Sequence, residues 1–323
     1  MTPALQLEIL DLRHFSAASL RPLLEAEARL WSERLEWDYR ASTNLLLQYL
    51  DSRVLPGYVA IENGRVTGYV FCVYEDHKAV IGDVFAVQQP NSETSAKEIE
   101  TRLLENLIEM LQNSPGTSRI ESQLLLHPHG VHSDTFRASG FEIHRRLFMH
   151  RDMPQAGLSL KTSSLRSGIL MRDWRDEDFN PAAHLISEAY EGHLDSHIND
   201  QYRSVAGSLR FLHNIVRFPG CGFFDASASR VLIAGGKELV GILLCSRVRE
   251  DVAHITQICV AKAYRQRGYG ELLLEACTSG LRPRNFRALT LTVTEANASA
   301  VALYQRLGFE TRHSFDAMLW ESR

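Results

Sequence analysis

The stretch HITQICVAKAYRQRGYGELLLEACTSGL (residues 254–281), followed after a short arginine-rich turn by LTLTVTEANASAVALYQRLGF (289–309), decides the fold. Each part begins as a run rich in β-branched residues and ends as a helical pattern. The first passes through a basic, glycine-punctuated turn, and its helix is expected over 270–280. The second passes through Asn297 into a helix over 298–307 that Gly308 closes. A strand feeding a glycine-rich loop at a helix N-terminus is an anion site. Successive backbone N–H groups converge there, and the helix dipole adds partial positive charge. Arg265 and Arg267 add full charges, and Gly268 and Gly270 let the backbone approach a phosphate closely.

Outward from this stretch, the chain repeats itself. A meander is expected over 231–234, 240–247 and 252–260, and an earlier one over 58–61, 66–74 and 79–87, each followed by a helix, a strand and a second helix. Gly241 and Cys245 follow Gly68 and Cys72 by the same 173 positions, as Val260 follows Val87. Gly308-Phe309-Glu310 follows Gly140-Phe141-Glu142 by 168. A repeat this long is a duplicated domain, not a solenoid unit. With 323 residues, the chain has room for two domains. The expected organisation is a first domain over 1–153, a linker over 154–168 with its proline, glycines and serines, and a second domain over 169–323. Strands are expected over 309–315 and 317–321 at the C-terminus.

Composition narrows the class. A net charge of −4 gives no basic footprint for nucleic acid, and no apolar run reaches the length of a membrane span. The N-terminal MTPALQLEIL has no basic n-region or apolar h-region, so no signal peptide is expected and the expected setting is the cytoplasm. The five cysteines, Cys72, Cys221, Cys245, Cys259 and Cys277, are scattered through apolar segments and read as reduced core thiols.

The run Arg265-Gln266-Arg267-Gly268-Tyr269-Gly270 matches the R/Q-x-x-G-x-G/A signature of the Gcn5-related N-acetyltransferase (GNAT) family, and Asn297, Tyr304 and Leu307-Gly308-Phe309 follow at the family's spacing. The C-terminal half resembles that family in motif and element order, and the N-terminal half in element order alone. The resemblance implies an α/β (α+β) chain of two tandem GNAT folds, each a mixed, mostly antiparallel twisted sheet flanked by helices. It implies acetyl-CoA as co-substrate, with its pyrophosphate on the amides of 266–270. The pantetheine arm is expected along Ile258 and Val260, where this strand splays from strand 288–293. It further implies transfer of the acetyl group to a primary amine, here expected to belong to a small molecule, by direct attack in a ternary complex. A non-catalytic acyl-CoA sensor and an enzyme acting on a protein N-terminus or lysine are the alternatives.

Tyr304 is expected to protonate the leaving thiolate, although it also completes the stripe Ala300, Leu303, Leu307. The family's base position, 14 residues before Gly268, holds His254, which titrates near neutrality and departs from the family's glutamate. Asn297 has a family role near the acetyl group and is equally an N-cap. The segment 190–203 holds acceptor candidates His193, Asp195 and His197. His-x-Asp-x-His has zinc-like residue types, but no further ligand is placed and the chemistry needs none, so no metal is expected. In the first half, the glycine turn is replaced by residues 92–97, Tyr304 by Phe136, Asn297 by His129 and His254 by Ile81. That domain is therefore expected to be non-catalytic.

Overall fold

A computed structural model describes residues 7–90, 92–153, 168–218, 220 and 222–322. Cys221 and residues 154–167 of the expected linker lie outside the described residues. The chain forms two compact units. Unit 1 holds residues 1–35, 39–146 and 314–323, and unit 2 holds 36–38 and 147–313. The units thus differ from the contiguous segments expected from the sequence, because the chain passes between them within two strands.

In unit 1, β1 (Glu8–Asp11), α1 (Ala17–Leu35) and α2 (Arg40–Asp51) precede the meander β2 (Gly57–Glu62), β3 (Arg65–Glu75) and β4 (Lys78–Ala86). Then come α3 (Ala96–Gln112), β5 (Arg119–Gln123), α4 (Ser133–Ala138) and the first half of β6 (Glu142–Asp152). In unit 2, β7 (Ile169–Asp173) leads to α5 (Phe179–Ala189), α6 (Leu194–Ile198) and α7 (Val205–Arg217). A two-residue β8 (Phe223–Phe224) and the meander β9 (Arg230–Ala234), β10 (Glu238–Arg249) and β11 (Val252–Val260) follow. The unit continues through α8 (Tyr269–Leu281), β12 (Ala288–Thr294), α9 (Ala298–Arg306) and the start of β13 (Glu310–Glu321). No helix among the described residues is long and apolar enough to cross a membrane.

Within each unit the meander strands pair antiparallel, and the strand that follows pairs in parallel: β4 with β5 and β11 with β12. Unit 1 borrows its last strand from the end of the chain, since Ala317–Glu321 of β13 pair antiparallel with β5. The two strands expected over 309–315 and 317–321 are this one strand. Its central Asp316 is buried and takes hydrogen bonds from the Gly130 N–H at 2.9 Å and Ser133 Oγ at 2.7 Å, besides its contact with His129. A satisfied carboxylate removes the reason for a break there.

Period-2 alternation splits each core across its sheet. On β3, Val70 and Cys72 join one cluster with the α3 stripe Ile99, Leu103 and Leu107, whereas Tyr69 and Phe71 join another with Leu20, Leu24 and Leu47. On β10, Leu243 and Cys245 pack with Leu273 and Cys277 of α8, and Ile242 and Leu244 with Ala182 and Ile186 of α5. Cys72, Cys245, Cys259 and Cys277 are buried and free, as expected.

The pairing register refines the repeat. Gly68 faces Ala86 and Gly241 faces Val260, so the counterpart of Val260 is Ala86 rather than Val87. By the same shift, Ile258 corresponds to Val84 and His254 to Val80 rather than Ile81. The extra residue is absorbed by a bulge between Arg247 and Arg249, where the Val248 carbonyl accepts the Asp38 N–H at 2.7 Å.

Unit 1 also buries a carboxyl pair. Glu27 of α1 and Asp83 of β4 share a hydrogen bond, and Glu27 further accepts from the Tyr69 hydroxyl and from Trp31 Nε1 at 3.3 Å. Burial, and then the Glu27 charge, push Asp83 well above the ordinary carboxylate range. The folded chain therefore keeps a proton that the unfolded chain releases near pH 4. Folding takes up this proton, so stability is fully present below the unfolded pKa. It falls by up to about 1.4 kcal/mol per pH unit as pH rises towards the folded pKa. Asp83→Asn keeps both the bond to Glu27 and the acceptor for the Val84 N–H at 2.9 Å, but holds no titrating proton. Urea unfolding at pH 5, 7 and 9 should show the variant gaining on the wild type with each step; parallel profiles would refute the shared proton.

Candidate active site

The site follows from two strands that part company. β11 and β12 pair in parallel from Val252↔Ala288 to Ile255↔Leu291, and the register stops there although β11 runs on to Val260 and β12 to Thr294. A bulge on the β10 side falls at the same level, skipping Thr256, whose hydroxyl donates to the Leu244 carbonyl at 3.2 Å. Bulges bend and twist a strand locally. The result is a cleft of about 600 Å³. One wall is the backbone and side chains of Ile258, Cys259 and Val260; the other is α9, with Asn297, Ala300, Leu303 and Tyr304. A volume of this order holds a small organic ligand.

The end of the cleft is the glycine turn. Gln266 and Gly268 adopt φ of 58° and 83°, and Gly268 caps α8. The amides heading α8 have no preceding carbonyl in the helix to meet them, so they face the cleft mouth with the helix dipole behind them. Gly270 brings α8 close to α9, since a Cβ there would stand 3.4 Å from Leu303. The two arginines serve differently from the free anion ligands expected. Arg265 lines the cleft and gives two of its five N–H donors to protein, Nε to the Val260 carbonyl at 3.1 Å and Nη2 to the Ala189 carbonyl at 2.6 Å. It clamps the end of β11 to the end of α5. Arg267 lies over the Tyr264 ring at 5.6 Å and is not among the cleft-lining residues. Tyr269 both lines the cleft and enters the core.

Tyr304 is buried on the α9 wall, its ring against Phe309. Burial pushes its hydroxyl pKa upward, with the Asp195 charge adding to the effect, so the proton is held throughout the neutral range. Asn297 caps α9, its Oδ1 accepting the Ala300 N–H at 3.3 Å, and it also lines the cleft.

The remaining expected residues divide. His193 lines the cleft, with its ring edge-on to Tyr190. Its Nδ1 accepts the Asp195 N–H at 3.1 Å, capping α6. Asp195 stands beside it, its Oδ2 3.5 Å from His193 Nδ1, while Oδ1 accepts from the Thr294 hydroxyl. His197 lies one turn on, 3.5 Å from Arg203, and does not line the cleft. His254 is not brought to the cleft either. It sits in the paired part of the two strands, opposite Thr290, and is 5% exposed. Its Nδ1 meets Thr290 Oγ1 at 2.9 Å, and its ring is packed by Trp37 and Phe148. The expected base is thus a satisfied core histidine. Tyr190, to which no individual role was assigned from sequence, forms part of the wall, its hydroxyl 3.5 Å from the Ile258 carbonyl. Its position directly after the apolar stripe of α5 was the available signal.

The corresponding place in unit 1 is closed. β4 and β5 pair only from Lys78↔Arg119 to Ile81↔Ser122, so the strands part there too. Yet the Val84 carbonyl meets His127 Nε2 at 2.8 Å, and the Ala86 N–H donates to Glu100 at 3.1 Å. These are the counterparts of Ile258 and Val260. At the head of α3, Ser95 and Glu98 form a capping box, so a carboxylate already takes the Ser95 amide.

Residues 172–309 match the model of the Acetyltransferase (GNAT) family. This part of unit 2 is a GNAT acetyltransferase domain. The chain is 41% identical over 59 residues to the [ribosomal protein bS18]-alanine N-acetyltransferases of Salmonella typhimurium and Escherichia coli K12. That match covers 18% of this chain and 40% of the length of those curated relatives. Among solved structures, a tandem GNAT protein from the clavulanic acid biosynthesis pathway superposes with a TM-score of 0.62 at 16% identity over 98% of both chains. A GCN5-related N-acetyltransferase from Sphaerobacter thermophilus gives 0.65 at 13% identity, over 99% of this chain and 96% of that one. At such identities the likeness is one of fold, and the fold is that of a tandem GNAT protein.

Gly268 supplies a direct test of the loop. A Cβ there meets nothing within 4 Å, so Gly268→Ala isolates the left-handed backbone. The expected cost is about 1 kcal/mol, seen as a lower thermal midpoint with no change in the folded spectrum. An unchanged midpoint would show that the turn does not need its glycine.

Proposed function

We propose that this chain is an N-acetyltransferase that moves the acetyl group of acetyl-CoA to a primary amine. The observation that carries the proposal is the end of β11 beyond its pairing with β12, which lines one cleft together with buried Tyr304 and with Gly268 and Gly270 of the glycine turn. In this reading the pyrophosphate rests on the amides of 266–270, and the pantetheine arm runs along Ile258 and Val260 as an added strand. The thioester then lies between β11 and α9.

The neutral amine attacks the carbonyl carbon directly; as the tetrahedral intermediate collapses, Tyr304 gives its proton to the departing thiolate, and the second proton of the attacking nitrogen is released and restores the Tyr304 hydroxyl. Its raised pKa keeps that proton available at neutral pH. The amine arrives as an ammonium ion and must lose a proton first. Asp195 is the carboxylate whose charge is felt at Tyr304, so we assign it to hold the ammonium group, with His193 beside it to pass the proton outward. His254 has no part in this chemistry. The GNAT family generally uses acetyl-CoA, and the transfer as proposed asks for no metal.

A small-molecule amine is the first acceptor to test. A protein N-terminus is the second, because the curated relatives are named for acetylating the alanine of a ribosomal protein. Thiol release from acetyl-CoA should be followed with amino acids, polyamines, aminoglycosides and short alanine-first peptides. Release with the amines alone supports the first reading, release with the peptides alone the second, and silence across all of them counts against the enzyme.

With an acceptor in hand, Tyr304→Phe should lower kcat by about 100-fold or more while leaving the acetyl-CoA KM within about two-fold. Undiminished turnover would remove Tyr304 from the acid role. Because His127 and Glu100 occupy the Val84 carbonyl and Ala86 amide of unit 1, calorimetry with CoA should find one site per chain; two equivalent sites would contradict that closure.

A further inference from the structure

The residues that close the cleft of unit 1 do more than hydrogen-bond. The sequence His127-Pro128-His129-Gly130-Val131-His132 puts three histidines in six positions. The fold separates them. His129 turns to Asp316, whereas His127 and His132 face Glu100 of α3. One ligand-capable atom from each of Glu100, His127 and His132 lies within 4.8 Å of the others. His132 Nε2 stands 3.1 Å from Glu100 Oε2, and His127 Nδ1 stands 3.8 Å from the same oxygen. The two rings meet edge to face at 4.8 Å.

We propose that Glu100, His127 and His132 form a binding site for a divalent transition metal of the zinc class. Three details favour a metal over a closed hydrogen-bond network. First, His132 is 4% exposed, yet neither of its ring nitrogens makes a hydrogen bond among the described residues. Its Nε2 is near the carboxylate but not aimed at it, as two ligands of one ion are arranged. A buried imidazole without a hydrogen bond is costly unless something else meets it.

Second, His127 and Glu100 are held from behind. His127 has its Nε2 on the Val84 carbonyl, which leaves the Nδ1 lone pair facing the cluster. Glu100 has its Oε1 on the Ala86 amide, which leaves Oε2 facing it. An outer hydrogen bond on each ligand is how proteins fix the tautomer and direction of a metal-bound group. Third, two imidazoles and one carboxylate suit zinc and its neighbours rather than magnesium or calcium, which ask for an all-oxygen shell. Three protein ligands leave a fourth position for water. The ion would tie α3 to residues 127–132 across the gap between β4 and β5. The expectation that no metal is needed concerned the transfer reaction, and this site is independent of that reaction and of its residues.

The test uses the full chain, stripped with a chelator and returned to metal-free buffer. Zinc titrated by calorimetry should bind with one equivalent lost in both His132→Gln and Glu100→Gln and kept in His14→Gln, an exposed histidine of the same unit. Cobalt(II) should give the visible absorption of a four-coordinate nitrogen and oxygen site in the wild type and lose it in the same two variants. Circular dichroism checks that the variants fold. If they do not, X-ray absorption of the zinc-loaded wild type decides, since the proposal requires imidazole scattering around the metal. No zinc uptake by the wild type, uptake that survives His132→Gln in a folded chain, or a metal shell without imidazole would each overturn the site.

Discussion

The parting of β11 from β12 after Ile255 is the constraint on which the rest of unit 2 depends. A strand that loses its neighbour leaves backbone N–H and C=O groups without partners, and such groups must be met by something. In unit 2, three residues of β11 are left lining a cleft. Around them the other parts are placed: the α8 amides at one end, Tyr304 on the opposite wall, and Arg265 holding the splayed end of β11 to α5. The Thr256 bulge, at the level where pairing stops, gives the strand its local bend.

Unit 1 meets the same constraint in the opposite way. Its β4 also leaves β5, but His127 and Glu100 reach in to satisfy Val84 and Ala86 from within the chain. Filling the gap costs a histidine and a carboxylate buried side by side, which is stable only if both are fully met. The capping box at Ser95 does for α3 what a bound anion does for a bare helix end. Two copies of one architecture thus differ in which side chains meet the strand that has lost its neighbour, His127 and Glu100 in unit 1 and Arg265 in unit 2.

Much of the site was legible in the sequence because it depends on local rules. Glycine at 268 marks a left-handed turn, and Asn297 caps the helix it precedes. The spacing from Gly268 to Tyr304 is filled by α8, β12 and the first turns of α9. Phe309 and Phe141 close their helices identically, each donating its N–H at 3.0 Å to the carbonyl five residues back, Tyr304 and Phe136. The reading failed where side-chain direction and pairing depth decide. His254 occupies the family's base position by count, yet at that depth β11 is still paired and Trp37 and Phe148 cover the ring. Arg265 carries the right charge, but two of its five N–H donors go to carbonyls that lie 5 and 76 residues away.

The sequence by itself determined the element order, the duplication, the glycine turn at the head of α8 and the residue types able to move a proton. These follow from periodicity, caps and motif spacing, which act over a few residues. Tertiary structure alone decided which strand completes which unit, which histidine is core and which lines the cleft, and that His127 and Glu100 fill the gap beside β4. Those outcomes rest on contacts between residues far apart in the chain. Asp316 with Ser133 and Thr290 with His254 are examples, and no local pattern encodes them.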